Sequence, residues 1–189
     1  STLTIVAGAG FYAYLLCHIL FLTEIWDYSV LEAGLAVAPG ALIAAVAAGV
    51  LGKLADKHDP RLVLLPGALV WSAAFVWYVA LVGPEPAFLT EWLPGQVLSG
   101  LGVGATLPVL AAAASAVVPG GRYATAAAIV SSARQLGGVL GIALLVVILG
   151  TPASPLEAID AFDRGWTFSA VCFALFAVAI PFLGRAIAP

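Results

Sequence analysis

Tyr14 and His18 stand four residues apart in an apolar run, so a helix through that run places both on one face, with Glu24 just beyond its end. A histidine at membrane depth is either a proton carrier, because its charge changes near neutral pH, or a neutral ring bonded to a neighbouring helix. A face carrying Tyr14 and His18 also suits a cavity wall. Gln96, alone in a later apolar run, reads in the same two ways, as cavity lining or as a hydrogen-bonding group between helices. Arg134 is the one basic residue inside an apolar span. A charge at the bilayer centre carries a penalty of about 2.5–3.5 kcal/mol, which asks for compensation. If the buried part of its helix begins near Ile129, Arg134 lies about 8 Å inside at a rise of 1.5 Å per residue, close enough to snorkel to the headgroups. It is then a tether between helices or to lipid, or a group that sets the electrostatics of a gate or a substrate path.

None of these groups forms a catalytic constellation. The sequence holds no H-E-x-x-H, no G-x-S-x-G, no phosphate loop and no pair of intramembrane carboxylates. Gly100-Leu-Gly102-Val-Gly104 lies inside an apolar run with no preceding strand, so it is not a nucleotide fingerprint. Cys17 and Cys172 sit among aliphatic and aromatic neighbours without metal-ligand spacing, and read as packing residues. The reading is therefore not an enzyme, with no cofactor, no metal and no nucleic-acid partner.

The elements that must position these residues follow from composition. Hydrophobic residues make up 63% of the chain and charged residues 9%, against about 25% charged in soluble domains; the mean hydropathy is +1.12. Apolar runs at Thr2–Leu22, Ala33–Leu51, Leu62–Val82, Leu93–Val118, Thr125–Leu149 and Trp166–Leu183 each approach the length needed to cross a hydrocarbon core of about 30 Å. The breaks, Thr23–Glu32, Gly52–Arg61, Gly83–Trp92, Pro119–Ala124 and Gly150–Gly165, are rich in charge, Pro and Gly. The fold class is thus all-α integral membrane, with six transmembrane helices and both ends on one side of the bilayer.

Taking the Gly52–Arg61 side as cytoplasmic puts Lys53, Lys57, Arg61, Arg122 and Arg185 inside and leaves Arg164 as the lone basic residue outside, as the positive-inside rule asks. Trp26, Trp92 and Trp166 then fall near outer helix ends, where interfacial indoles are favoured. Heavy use of Ala, Gly and Val, with Arg outnumbering Lys, points to a bacterial cytoplasmic membrane. No soluble part follows the first apolar run, which excludes a secretory signal. The chain opens on Ser1, contains no Met and enters that run without a basic flank, so an absent upstream portion is expected.

Prolines fall inside helices at Pro39, Pro66, Pro108 and Pro181, which a packed membrane bundle absorbs through neighbouring contacts. The pairs Gly100/Gly104 and Gly137/Gly141 at i, i+4 permit close backbone approach, either as plain packing or as a sliding surface in a moving bundle.

The segment Gly52-Lys-Leu-Ala-Asp56-Lys57-His58-Asp59-Pro60-Arg61 resembles the G-x-L-A-D-R-x-G-R-[KR] loop of the major facilitator superfamily. Gly52, Asp56, Lys57 and Arg61 match in kind, while Asp59 replaces the second Gly and Pro60 the Arg before Arg61. The resemblance implies that Gly52 allows close helix approach, that Asp56 engages a neighbouring helix end, and that the basic residues hold a cytoplasmic gate; otherwise the segment is a charged turn anchoring the inner face. Two further stretches resemble the fourteen-span drug:proton antiporters. These are Tyr28-Ser29-Val-Leu-Glu-Ala33-Gly34-Leu-Ala-Val-Ala-Pro39-Gly40, and Ser131-Ser132-Ala133-Arg134-Gln135-Leu136-Gly137-Gly138-Val-Leu-Gly141, which is similar to their A-R-Q-x-G-G-x-x-G segment. Ala161-Phe162-Asp-Arg-Gly165-Trp166 also looks like that branch. Gln96-Val-Leu-Ser-Gly100-Leu-Gly102 has the spacing of the family's R-x-x-x-G-x-G, with Gln where the first half of such proteins carries the Arg linked to proton coupling.

The resemblance implies that residues 1–189 are the C-terminal six-helix bundle of a larger transporter, one half of the fold, built from two inverted three-helix repeats. This half would face a missing N-terminal transmembrane half across a central cavity. The expected function is proton-coupled export of small amphipathic or cationic molecules by alternating access, with lipid bilayer, small-molecule substrate, protons and the N-terminal half as partners. Metabolite transport on the same fold and a truncated, non-transporting membrane protein are the alternatives.

Overall fold

The computed structural model describes residues 2–116 and 123–182 of the chain. Its six long helices are α1 (Thr2–Glu24), α2 (Val30–Lys57), α3 (Arg61–Leu81), α4 (Leu93–Ala116), α5 (Tyr123–Leu149) and α6 (Pro155–Ala179). All six are long and apolar enough to span a membrane. A π-helical turn, Phe88–Trp92, leads into α4, and a 3-10 turn, Ile180–Phe182, follows α6.

Two helix starts lie earlier than apolarity indicates, because caps and not hydrophobicity begin a helix. Ser29 accepts from the Glu32 backbone N–H while Glu32 accepts from the Ser29 N–H at 2.8 Å, a reciprocal capping box that starts α2 at Val30. Ser154 accepts from the Glu157 N–H at 3.2 Å with Pro155 next to it, so α6 begins at Pro155, eleven residues before the expected Trp166. The Gly150–Gly165 stretch is therefore mostly helix, and Glu157, Asp160, Asp163 and Arg164 ride on it.

At the other end α2 runs past the expected Leu51 to Lys57, since Lys53 to Lys57 are mostly good helix formers and nothing stops them before Asp59-Pro60. Only residues 58–60 connect α2 to α3, and Asp59 turns the chain by accepting from the Arg61 N–H at 2.9 Å. The helices continue through Pro39, Pro66 and Pro108, and Pro181 lies in the 3-10 turn.

The packing obeys an exchange. α1 lies along α5 and against α6; α4 lies along α2 and against α3; α3 meets α6. Replacing each helix by the one three places on returns the same set of neighbours, and three crossings reverse direction, so α1–α3 and α4–α6 are inverted repeats.

The two long seams are closed by small residues. A Cβ at Gly137 would strike the Ile5 carbonyl and one at Gly141 the Ala9 carbonyl, so α1 and α5 touch nearly backbone to backbone. Gly100 and Gly104 bring α4 equally close to the Gly40 and Ala44 carbonyls of α2.

Between the seams lies an aromatic core from α1, α3, α6 and the π-helical turn before α4. Trp71 stacks on Phe173 with ring centroids 3.7 Å apart, and Phe75, Tyr78, Trp92 and Trp166 close around them. Trp92 and Trp166 are fully buried within the bundle. The early start of α6 carries Trp166 three turns inward, and Trp92 points from the π turn into the bundle, where its indole donates to the Ala36 carbonyl at 3.1 Å. Arg122 and Arg185, two of the residues used to orient the chain, lie outside the described residues.

Candidate functional site

A hollow of about 390 Å³ opens where α1, α2 and α4 meet, with Phe11 and Tyr14 from α1, Gly40 and Ala44 from α2, and Gln96 and Val103 from α4 on its wall. Of the three residues read as possible cavity lining, Tyr14 and Gln96 reach it. His18 does not. The four-residue spacing holds, with the Tyr14 and His18 rings 5.1 Å apart on one face, but His18 is fully enclosed behind Tyr14. Its ring lies edge-on to Tyr78 at 4.5 Å and to Trp92 at 4.8 Å. Nδ1 donates to the Tyr14 carbonyl at 2.9 Å, and Nε2 finds no hydrogen-bond partner among the described residues.

Gln96 is 2% exposed. Its side-chain NH2 donates to the Tyr78 hydroxyl at 3.0 Å, which fixes the amide plane. The side-chain oxygen is turned toward α2, and a Cβ at Gly40 would occupy its place. Glycine at position 40 is thus what lets the Gln96 amide sit at the edge of the hollow.

The residues resembling the family's inner loop lie at the far end of α2. Asp56 and Lys57 are exposed on its last turn instead of in a loop, Arg61 is half-buried in the first turn of α3, and a Cβ at Gly52 would meet nothing within 4 Å. The close approach expected at Gly52 is therefore not made to any described residue.

On α5, Arg134 is half-buried, with its backbone carbonyl against Gly8 of α1 and its Nε enclosed without a partner among the described residues. Gln135 is exposed and donates to the Ser131 hydroxyl at 3.3 Å. Gly137, Gly138 and Gly141 all face α1, under Ile5, the Tyr12 ring and Ala9. The structure thus separates the predicted residues: Tyr14 and Gln96 at the hollow, His18 in the aromatic core, Arg134 and the three glycines along the α1/α5 seam with Gln135 exposed beside it, and Gly52, Asp56, Lys57 and Arg61 where α2 passes to α3.

One surface was missed by reading apolar runs alone. Gly34, Ala38, Ala41, Ala45, Gly49 and Gly52 recur every three or four residues on the open side of α2. At the three glycines among them a Cβ would find nothing within 4 Å. Such spacing is legible in the sequence and marks close helix approach in membranes, yet no described helix covers it.

Six spanning helices in two inverted repeats define a multi-pass membrane bundle of the transporter type. The chain belongs to the Major Facilitator Superfamily, whose family model matches residues 1–188. It is 35% identical over 179 residues to the puromycin resistance protein pur8 of Streptomyces alboniger, covering 88% of this chain and 35% of that protein. It is 29% identical over 167 residues to the cephamycin export protein CmcT of Amycolatopsis lactamdurans, covering 87% and 34%. Over 125 residues it is 26% identical to the multidrug export protein EmrB of Haemophilus influenzae, covering 66% and 24%. The chain spans about a third of the length of the first two of these relatives.

Proposed function

We propose that this segment is the C-terminal half of a proton-coupled exporter of small amphipathic or cationic molecules that works by alternating access. The observation that carries the reading is the match along 88% of the chain to a puromycin resistance protein of which it covers 35%. Two features of the fold support it. The hollow joins aromatic rings to one fixed amide, the usual make-up of a small-molecule site. The uncovered small-residue face of α2 suits a second bundle packed across from it. The test is the full-length chain carrying this segment, expressed in a puromycin-sensitive bacterium. Raised resistance and energised efflux that stops when a protonophore collapses the proton gradient are expected. Unchanged resistance, or efflux indifferent to the protonophore, sinks the reading, and net uptake replaces it by import.

In the same reading Asp56, Lys57 and Arg61 form the inner gate, supported by their place where α2 passes to α3, away from the hollow. In the same efflux experiment Asp56→Asn should slow turnover severalfold and leave equilibrium affinity nearly unchanged. Lost affinity with normal turnover at saturating substrate removes the gate assignment.

Orientation follows the basic residues, with residues 58–60 cytoplasmic and the start of α6 outside. Cysteines introduced at Lys57 and Glu157 should react with an impermeant maleimide from opposite faces of the membrane; reaction from one face overturns this topology.

A further inference from the structure

Export of a drug-like molecule leaves open which part of it this half holds, and the wall of the hollow bears on that. No described residue lining it carries a charge. Among the described residues a cationic head seated here would find no carboxylate to compensate its lost hydration, a cost that membrane depth makes heavy. What the wall does offer is apolar and aromatic surface. Phe11 and Tyr14 stand edge to face with centroids 5.5 Å apart, beside Val37 and Val103, and such rings prefer a planar partner in offset or edge contact. The volume of about 390 Å³ falls within the roughly 300–1,000 Å³ of ordinary small-molecule sites.

The one polar group with a fixed direction is the Gln96 amide. An amide presents its two donors at one corner and its acceptor at the other. The donor corner is held by the Tyr78 hydroxyl, and Tyr78 is itself fully buried, locked against His18 and Trp92. The acceptor corner lies at the Gly40 edge of the hollow. Tyr78 therefore acts as a positioning residue that holds the Gln96 amide with its nitrogen inward, while the oxygen lies against Gly40.

We infer that the hollow selects a neutral planar ring bearing an N–H or O–H donor, which is received by the Gln96 side-chain oxygen. The inference rests on the export reading and names the substrate moiety that this half recognises.

The test uses purified full-length protein and two fluorescent probes on one ring system, 7-amino-4-methylcoumarin and 7-dimethylamino-4-methylcoumarin, the second larger by two methyl groups. Both are planar and neutral at pH 7, and only the first carries a donor. Wild-type protein should bind the amino probe about three- to tenfold more tightly, the worth of one net hydrogen bond. Tyr78→Phe, which frees the amide to turn, should retain binding and narrow the preference to within about twofold. Gln96→Leu combined with Tyr78→Phe removes both partners of the buried bond, so neither is left unpaired, and should abolish the preference.

Equal wild-type affinity for the two coumarins overturns the inference without need of any variant. So does displacement of the amino probe by tetraphenylphosphonium at concentrations below those of the coumarin itself, because that is the behaviour of a cation site. Puromycin efflux without a coumarin preference overturns the donor site alone. A preference in binding with no transport of any probe supports the donor site and sinks the export reading.

Discussion

Replacing Gly141 by Val will remove most of the folded protein from the membrane. In the α1/α5 seam the Ala9 carbonyl already stands where a Cβ at 141 would go, and Gly137 meets Ile5 in the same way one turn earlier. The atoms in the way are backbone, so no rotamer change relieves the clash. The helices must part, and the seam loses its dispersion contacts along several turns. Overpacking of a tight core costs about 1–3 kcal/mol, and losses of that size change the cellular amount of a protein severalfold. The measurement is the yield of monodisperse full-length protein after mild detergent extraction, with its melting midpoint. Gly137→Val should behave like Gly141→Val. Wild-type yield and melting in both would mean that α1 and α5 do not lie this close.

Gly49→Leu should have the opposite signature: normal protein with little transport. Gly49 lies on the open side of α2, and a Cβ there meets nothing within 4 Å. Within this segment the change relieves the cost of a helical glycine, about 1 kcal/mol. In the proposed full-length exporter the small-residue face is where a second bundle packs and moves, so a leucine should jam it. Efflux is expected to fall more than tenfold while the extracted protein keeps its yield. Unimpaired efflux by Gly49→Leu would show that lipid, and not another helix, covers this face. The pair is informative together, because two glycine replacements on helices of one bundle are predicted to fail at different steps, one at folding and one at turnover.

The two faces differ in how far they could be read in advance. The number of spans was legible because the length of an apolar run is a local quantity matched to bilayer thickness, and the family motifs were legible because they are strings. The helix starts at Val30 and Pro155 were also written locally, in Ser29 with Glu32 and in Ser154, Pro155 and Glu157, but counting apolar residues passes over caps. A helix ends where its backbone groups find other partners, which need not be where its hydrophobicity ends.

What the sequence determined on its own was therefore the class of structure: spans, caps, and the sharing of one face by Tyr14 and His18. Tertiary structure alone decided which residue of a face meets which neighbour. A helix that is apolar nearly all round has no strong stripe to say which side turns inward. Tyr14 fronts the hollow, while His18, one turn away, is sealed by Tyr78 and Trp92, because α3 and the π turn before α4 close over that turn of α1. Gln96 turns its oxygen toward Gly40 of α2 while its nitrogen is bonded to Tyr78, eighteen residues earlier on another helix. Such pairings are made by packing between distant segments, and no local pattern of residues encodes them.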